Sequence, residues 1–191
     1  MRNAVLTLAL LAAAGCARKE AAVPAPATEP APTAATAPAA PATPPHHHAD
    51  LTPTQGNHAA GTLEFISREG AVQITGTVTG LEPNSEHGFH IHEKGDCSAP
   101  DGSSAGGHFN PGSQQHGNPD TPPHHAGDIH NLKADAQGSA QVNELVTGLT
   151  IGDSSPTDIL GKAAVVHAKV DDYKSQPAGN SGGRIACGVI Q

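Results

Sequence analysis

The sequence predicts an all-β domain, an antiparallel sandwich or barrel, running from about residue 50 to the C-terminus. Two observations predict it. No stretch of this region carries the 3.6-residue apolar periodicity of a long amphipathic helix. Short strand-like runs take its place, and glycine-containing turns punctuate them, which is the pattern of layered or closed antiparallel sheets.

The elements follow in order. Residues 1–16 (MRNAVLTLALLAAAGC) hold one basic residue, an apolar run and then small residues. This is the composition of a secretion signal and is too short for a membrane span. The end of the segment, Ala13-Ala14-Gly15-Cys16, resembles a bacterial lipobox, in which the cysteine is acylated, although Ala13 stands where that pattern prefers Leu. The alternative is an ordinary signal peptide cut near Ala14. Residues 17–49 form a tether: from 21 to 45 the chain is almost entirely Ala, Pro and Thr, which cannot bury a core and favours extended backbone. His46, His47 and His48 end it, either as a metal-binding tract or as solvated low-complexity sequence.

In the domain, residues 50–191, the runs 62–66 (TLEFI) and 72–78 (VQITGTV) flank a turn at Arg68-Glu69-Gly70, where glycine can supply a positive φ. Residues 132–135 and 140–146 form a second pair, joined around Gln137-Gly138-Ser139, and 163–168 and 185–190 read as buried strands. With one tyrosine, three phenylalanines and no tryptophan, the core must rest on Val, Ile, Leu and Ala. Two long polar loops, 93–130 and 171–183, interrupt the strands, and loops of that length in a compact domain are usually functional or disordered. The histidines and charges in and beside them favour function.

Charge and cysteine content narrow the chemistry. A formal net charge of −8 argues against a nucleic-acid partner, and any site for an anionic substrate must carry its own local positive charge. The chain has three cysteines. Lipid on Cys16 would leave Cys97 and Cys187 as one pair in an oxidising compartment, with no stray thiol.

The histidines define the candidate site. His90 and His92 lie two apart on a strand-like run, so both imidazoles address one point, an arrangement suited to copper or zinc. His108 follows a Gly/Ser-rich stretch, and His116, His124, His125 and Asp128 come after it. Three histidines with one carboxylate can close a tetrahedral zinc site. A second metal needs access for a reactant, and His167, in the run VVHAK, is the candidate to join His90 and His92.

The segments GFHIHEKGDC, AGGHFNP, HHAGDIHN, VVHAKVDDY and GNSGGRIACGVI, taken together and in this order, resemble the copper/zinc superoxide dismutase family in its bacterial exported branch. The resemblance covers roughly residues 55–191. It implies a flattened eight-stranded antiparallel Greek-key barrel that dismutes superoxide at a copper centre bridged to a structural zinc. His90, His92, His108 and His167 fall on the family's copper ligands. His108, His116, His125 and Asp128 fall on its zinc ligands, so His108 bridges the metals. Asp171 matches the outer carboxylate that joins zinc-side and copper-side histidines, Arg184 the guanidinium that receives the anion, and Cys97 with Cys187 the intrasubunit disulfide. Only the H-x-x-D spacing selects His125 over His124. His130 stands where the family usually has another residue, and His58 and His87 read as surface positions. The second loop is shorter than in the cytosolic branch. The implied protein works in the cell envelope, held to a membrane by lipid on Cys16, as a monomer or a homodimer. The alternative is a copper- and zinc-binding envelope lipoprotein without turnover, although such family members tend to lack a ligand or the arginine, and this chain keeps them all.

Overall fold

In β2 (Ala60–Arg68) and β3 (Ala71–Thr79) large apolar residues recur at alternate positions, and Leu63, Phe65, Val72, Ile74 and Val78 are buried on one face. The computed structural model describes residues 46–191, and in it these strands pair antiparallel through a turn where Gly70 adopts φ +70°. Cys16 and residues 1–45 lie outside the described residues.

The other strands are β1 (His46–Pro53), β4 (Glu86–His87), β5 (Phe89–His92), β6 (Leu132–Lys133), β7 (Ala140–Thr147), β8 (Ala163–His167) and β9 (Arg184–Val189). Seven of them form one antiparallel sheet in the order β5-β8-β9-β1-β2-β3-β7, and β4 with β6 makes a separate two-stranded ribbon, β6 lying against β7. The all-β architecture expected from the sequence is therefore present. Leu132–Lys133 pairs with Glu86–His87, whereas β7 pairs with β3.

One boundary differs. The sheet includes residues 46–49, which the sequence reading assigns to the tether. Ala49 and Leu51 continue the buried face, and the backbone from His46 to Leu51 pairs with Ile66 to Gly61. Strand pairing thus draws the histidine tract into the sheet, and His48 also exchanges backbone hydrogen bonds with Gln191.

Two features of the sheet position the site. On β5 and β8 both faces are covered: Phe89, Ile91, Ala164 and Val166 enter the main core, while Ala163, Val165, Cys187 and Ala105 form a smaller cluster on the other side. On that outer side, His90 and His92 are also fully buried. A β-bulge then shifts the register between β8 and β9. Val166 faces Ala186 but His167 faces Arg184, so Ile185 is the extra residue and Arg184 comes opposite His167.

The disulfide Cys97–Cys187 ties the first loop to β9 across 90 residues of sequence, with Cα atoms 5.7 Å apart. Closing a loop of that length stabilises by about 4–5 kcal/mol on the chain-entropy argument. Replacing both cysteines by serine should therefore lower the unfolding free energy by about 4 kcal/mol in denaturant titration, with the larger part of the change in the first loop's hydrogen-exchange protection.

Candidate metal centre

The open edge of β5 is covered by the first loop. His90 bridges Asp128 and His92 bridges His108 in isolated antiparallel pairs, and Ile91 exchanges backbone hydrogen bonds with Gly127 and Phe109. This edge pairing brings histidines that are distant in sequence onto the outer face of β5.

Two groups of buried side chains result. His90, His92, His108 and His167 each direct one ring nitrogen into a region less than 4.8 Å across, and His108, His116, His125 and Asp128 do the same beside it. His108 belongs to both. In the second group, Asp128 Oδ1 lies 2.8 Å from His108 Nδ1, 3.0 Å from His116 Nδ1 and 3.3 Å from His125 Nδ1. A tetrahedron with metal–ligand bonds of roughly 2.0–2.1 Å has edges of about 3.3 Å, so this spacing fits zinc. In the first group, His92 Nε2 and His167 Nε2 are 3.3 Å apart.

The ring nitrogens that face away from the groups are tied down. His92 Nδ1 donates to the Gly106 carbonyl at 3.0 Å and His167 Nδ1 to that of Gly182 at 3.2 Å. Asp171 bonds His90 Nε2 at 2.7 Å through one oxygen and His116 Nε2 at 2.9 Å through the other, spanning the two groups. Such partners set the tautomer and ring direction of a metal-binding histidine. By contrast, His90 Nδ1, His108 Nε2 and His116 Nδ1 are buried without a protein hydrogen bond. Buried polar atoms are seldom left unpaired, and these three are aimed where ligand atoms belong. Imidazoles and one carboxylate suit copper and zinc, so the residues present fit both metals.

Electrostatics agree with that use. Burial lowers the pKa of His92 to about 2, His167 to about 3 and His108 to about 4, and it lowers that of His90 as well. These rings are neutral at pH 7, with lone pairs available to a metal. Burial opposes ionisation of Asp128 and Asp171, but hydrogen bonds from the histidines outweigh it and hold both carboxyls well below the usual range.

Arg184 adjoins the first group. Its guanidinium donates to the carbonyls of Gly102 and Gly106, and Gly106 is also the acceptor for His92. An open cavity of about 280 Å³, lined in part by Asp101, Ser103, Gly183 and Arg184, gives the guanidinium access to solvent. The fixed donor fork at the edge of the histidine group can receive a small anion.

The remaining histidines find other roles. His124 Nδ1 bonds the His125 carbonyl and stays outside both groups. His130 links Glu144 on β7 at 2.8 Å to Asp120 in the first loop at 3.2 Å. His58 is exposed, as expected, but His87 is buried. Its ring lies between Ser85 Oγ, at 2.6 Å, and the His167 carbonyl, at 2.8 Å, which explains the burial. Sequence reasoning also missed Asn131, which exchanges two hydrogen bonds with the backbone of Asp171. Nothing in its local sequence marks it, because its partner lies 40 residues away.

The antiparallel β fold thus carries two buried groups of metal-ligand side chains that share the His108 imidazole. The sequence profile described as copper/zinc superoxide dismutase matches residues 59–190. The chain belongs to the copper/zinc superoxide dismutase family. A copper/zinc superoxide dismutase of Aquifex aeolicus is 44% identical over 149 residues, covering 75% of this chain and 85% of that protein. One from Candida glabrata is 42% identical, covering 74% and 94%. Among solved structures, a superoxide-dismutase-like protein from Bacillus subtilis is 39% identical with a TM-score of 0.69, over 75% of this chain and 97% of that one.

Gly179 tests the role of the Asp171 link. It adopts φ +62°, and a methyl group there would overlap Asp171 Oδ1 and lie 2.7 Å from His116 Nε2. Gly179→Ala should destabilise the domain by at least the roughly 1–2 kcal/mol of a left-handed backbone position. It should also displace the carboxylate, which nitrogen NMR would register as altered tautomers of His90 and His116.

Proposed function

We propose that this chain is an exported superoxide dismutase, tethered to a membrane, with copper held by His90, His92, His108 and His167 and zinc by His108, His116, His125 and Asp128. Family membership makes it an oxidoreductase acting on superoxide, with copper and zinc as cofactors. The observation that carries the site assignment is that His108 is common to both ligand groups.

The net reaction converts two superoxide ions and two protons into oxygen and hydrogen peroxide. Bound copper supplies the reversible one-electron chemistry this needs, and bound zinc supplies geometry alone. The chain's own residues do the rest. Arg184 provides the local positive charge that a protein of net charge −8 otherwise lacks, and its fork orients the small anion. Asp171 holds His90 and His116 in fixed tautomers, and the Gly106 and Gly182 carbonyls do so for His92 and His167. Burial and these bonds hold the rings in place.

The envelope location and the anchor rest on the sequence together with the disulfide. Pairing of Cys97 with Cys187 suits an oxidising compartment and leaves Cys16 as the one remaining cysteine, at the end of a signal-like segment. In this reading residues 1–16 are the signal, Cys16 carries lipid, and the Ala/Pro-rich tether holds the domain off the membrane.

Two experiments test this. Arg184→Ala should keep one copper and one zinc per chain by elemental analysis but lower the superoxide decay rate by about ten-fold or more. Added salt should slow the wild type more than the variant, because screening acts on the attraction the substitution removes. An alanine variant as fast as wild type at low salt would remove Arg184 from the reaction. Separately, Cys16→Ser should move the protein from the membrane fraction to the soluble extracytoplasmic fraction with activity per molecule retained. Equal membrane retention by the variant would exclude the lipid anchor.

A further inference from the structure

The four residues of the second group are not held in the same way. His108 and Asp128 are fixed to β5 by their backbone bridges to His92 and His90. The His125 N–H donates to Asp128 Oδ2 at 2.8 Å. His116 has no such attachment: among the described residues no backbone group bonds its N–H or its carbonyl. Both are taken by one side chain from the second loop. The His116 N–H donates to Gln176 Oε1 at 2.9 Å, and Gln176 Nε2 donates to the His116 carbonyl at 2.9 Å, across 60 residues of sequence. The His116 ring is held from the same loop, by Asp171.

We propose that Gln176 is a positioning residue for the zinc site, clamping the backbone of His116 so that the second loop delivers the fourth ligand to the other three. The proposal rests on the reading of His116 as a zinc ligand. Each partner contributes a different constraint. Asp171 fixes which way the ring points and which nitrogen is free, and the Gly117 N–H, donating to Asp128 Oδ2 at 3.1 Å, anchors the chain on one side, but neither contact holds the N–H and carbonyl of His116 itself. The paired carboxamide bonds hold both, since donor and acceptor on one planar group must both be met. Nδ1 is thereby kept 3.0 Å from Asp128 Oδ1, within the second group. Gln176 is itself exposed, so its replacement removes the two bonds with little loss of packing.

The test is zinc affinity of the copper-free full chain, measured by competition with a chromophoric chelator. Gln176→Met, which keeps the size, and Gln176→Ala should both bind zinc about ten-fold more weakly than wild type, the lower end of the usual effect of an outer partner. The copper affinity of the zinc-free protein and the thermal midpoint of the metal-free protein should stay unchanged. His116→Ala should lose far more zinc affinity than either, and adding Gln176→Met to it should cost nothing further. Wild-type zinc affinity in both Gln176 variants would overturn the proposal. So would a parallel loss of copper affinity and metal-free stability, which would mark a general structural role. Wild-type zinc binding by His116→Ala would instead overturn the ligand reading on which the proposal stands.

Discussion

An unpaired strand edge must find partners for its backbone, and at β5 those partners come from the first loop. The pairs His90 with Asp128 and His92 with His108 are backbone contacts before they are anything else. They nevertheless decide the chemistry, because the same register that pairs the backbone sets the rings of His90, His92 and His108 side by side. His90 and His108 have ring centroids 3.9 Å apart. The disulfide then pins the loop to β9, and the bulge between β8 and β9 brings His167 and Arg184 to the same place. Without the edge pairing, two histidines on a strand would remain two histidines on a strand.

Burial and charge work together at this site. Removing four imidazoles from water keeps them neutral and leaves lone pairs free on one side, while carbonyls and carboxylates hold the other side. Asp128 and Asp171 remain ionised despite burial because histidine nitrogens surround them. Next to the site lies the permanent cation Arg184, held by two backbone carbonyls with no carboxylate partner among its hydrogen bonds. Its charge is thus left for an approaching anion.

Much of this was legible in the sequence, and the limits have physical causes. The strands 62–66 and 72–78 and the turn at Gly70 are local patterns and occur where expected. The copper and zinc sets came from the family resemblance, carried by several segments in order, and the structure brings the same residues together in two groups of four. The start of the sheet at His46 was missed because a histidine tract after an Ala/Pro-rich segment carries no strand signal of its own, and its pairing with β2 decides it. The burial of His87 and the contacts of Asn131 and Gln176 depend on partners 40 to 80 residues away, and no local pattern reports such bonds.

In the proposed site His108 serves both ligand groups. A crystal structure of the copper- and zinc-loaded protein, with anomalous data collected at both metal edges, tests it most directly. One copper peak is expected on the Nε2 side of His108, among His90, His92 and His167, and one zinc peak on the Nδ1 side, beside Asp128. A single metal between the groups, or two metals with His108 bound to only one of them, would contradict that shared role.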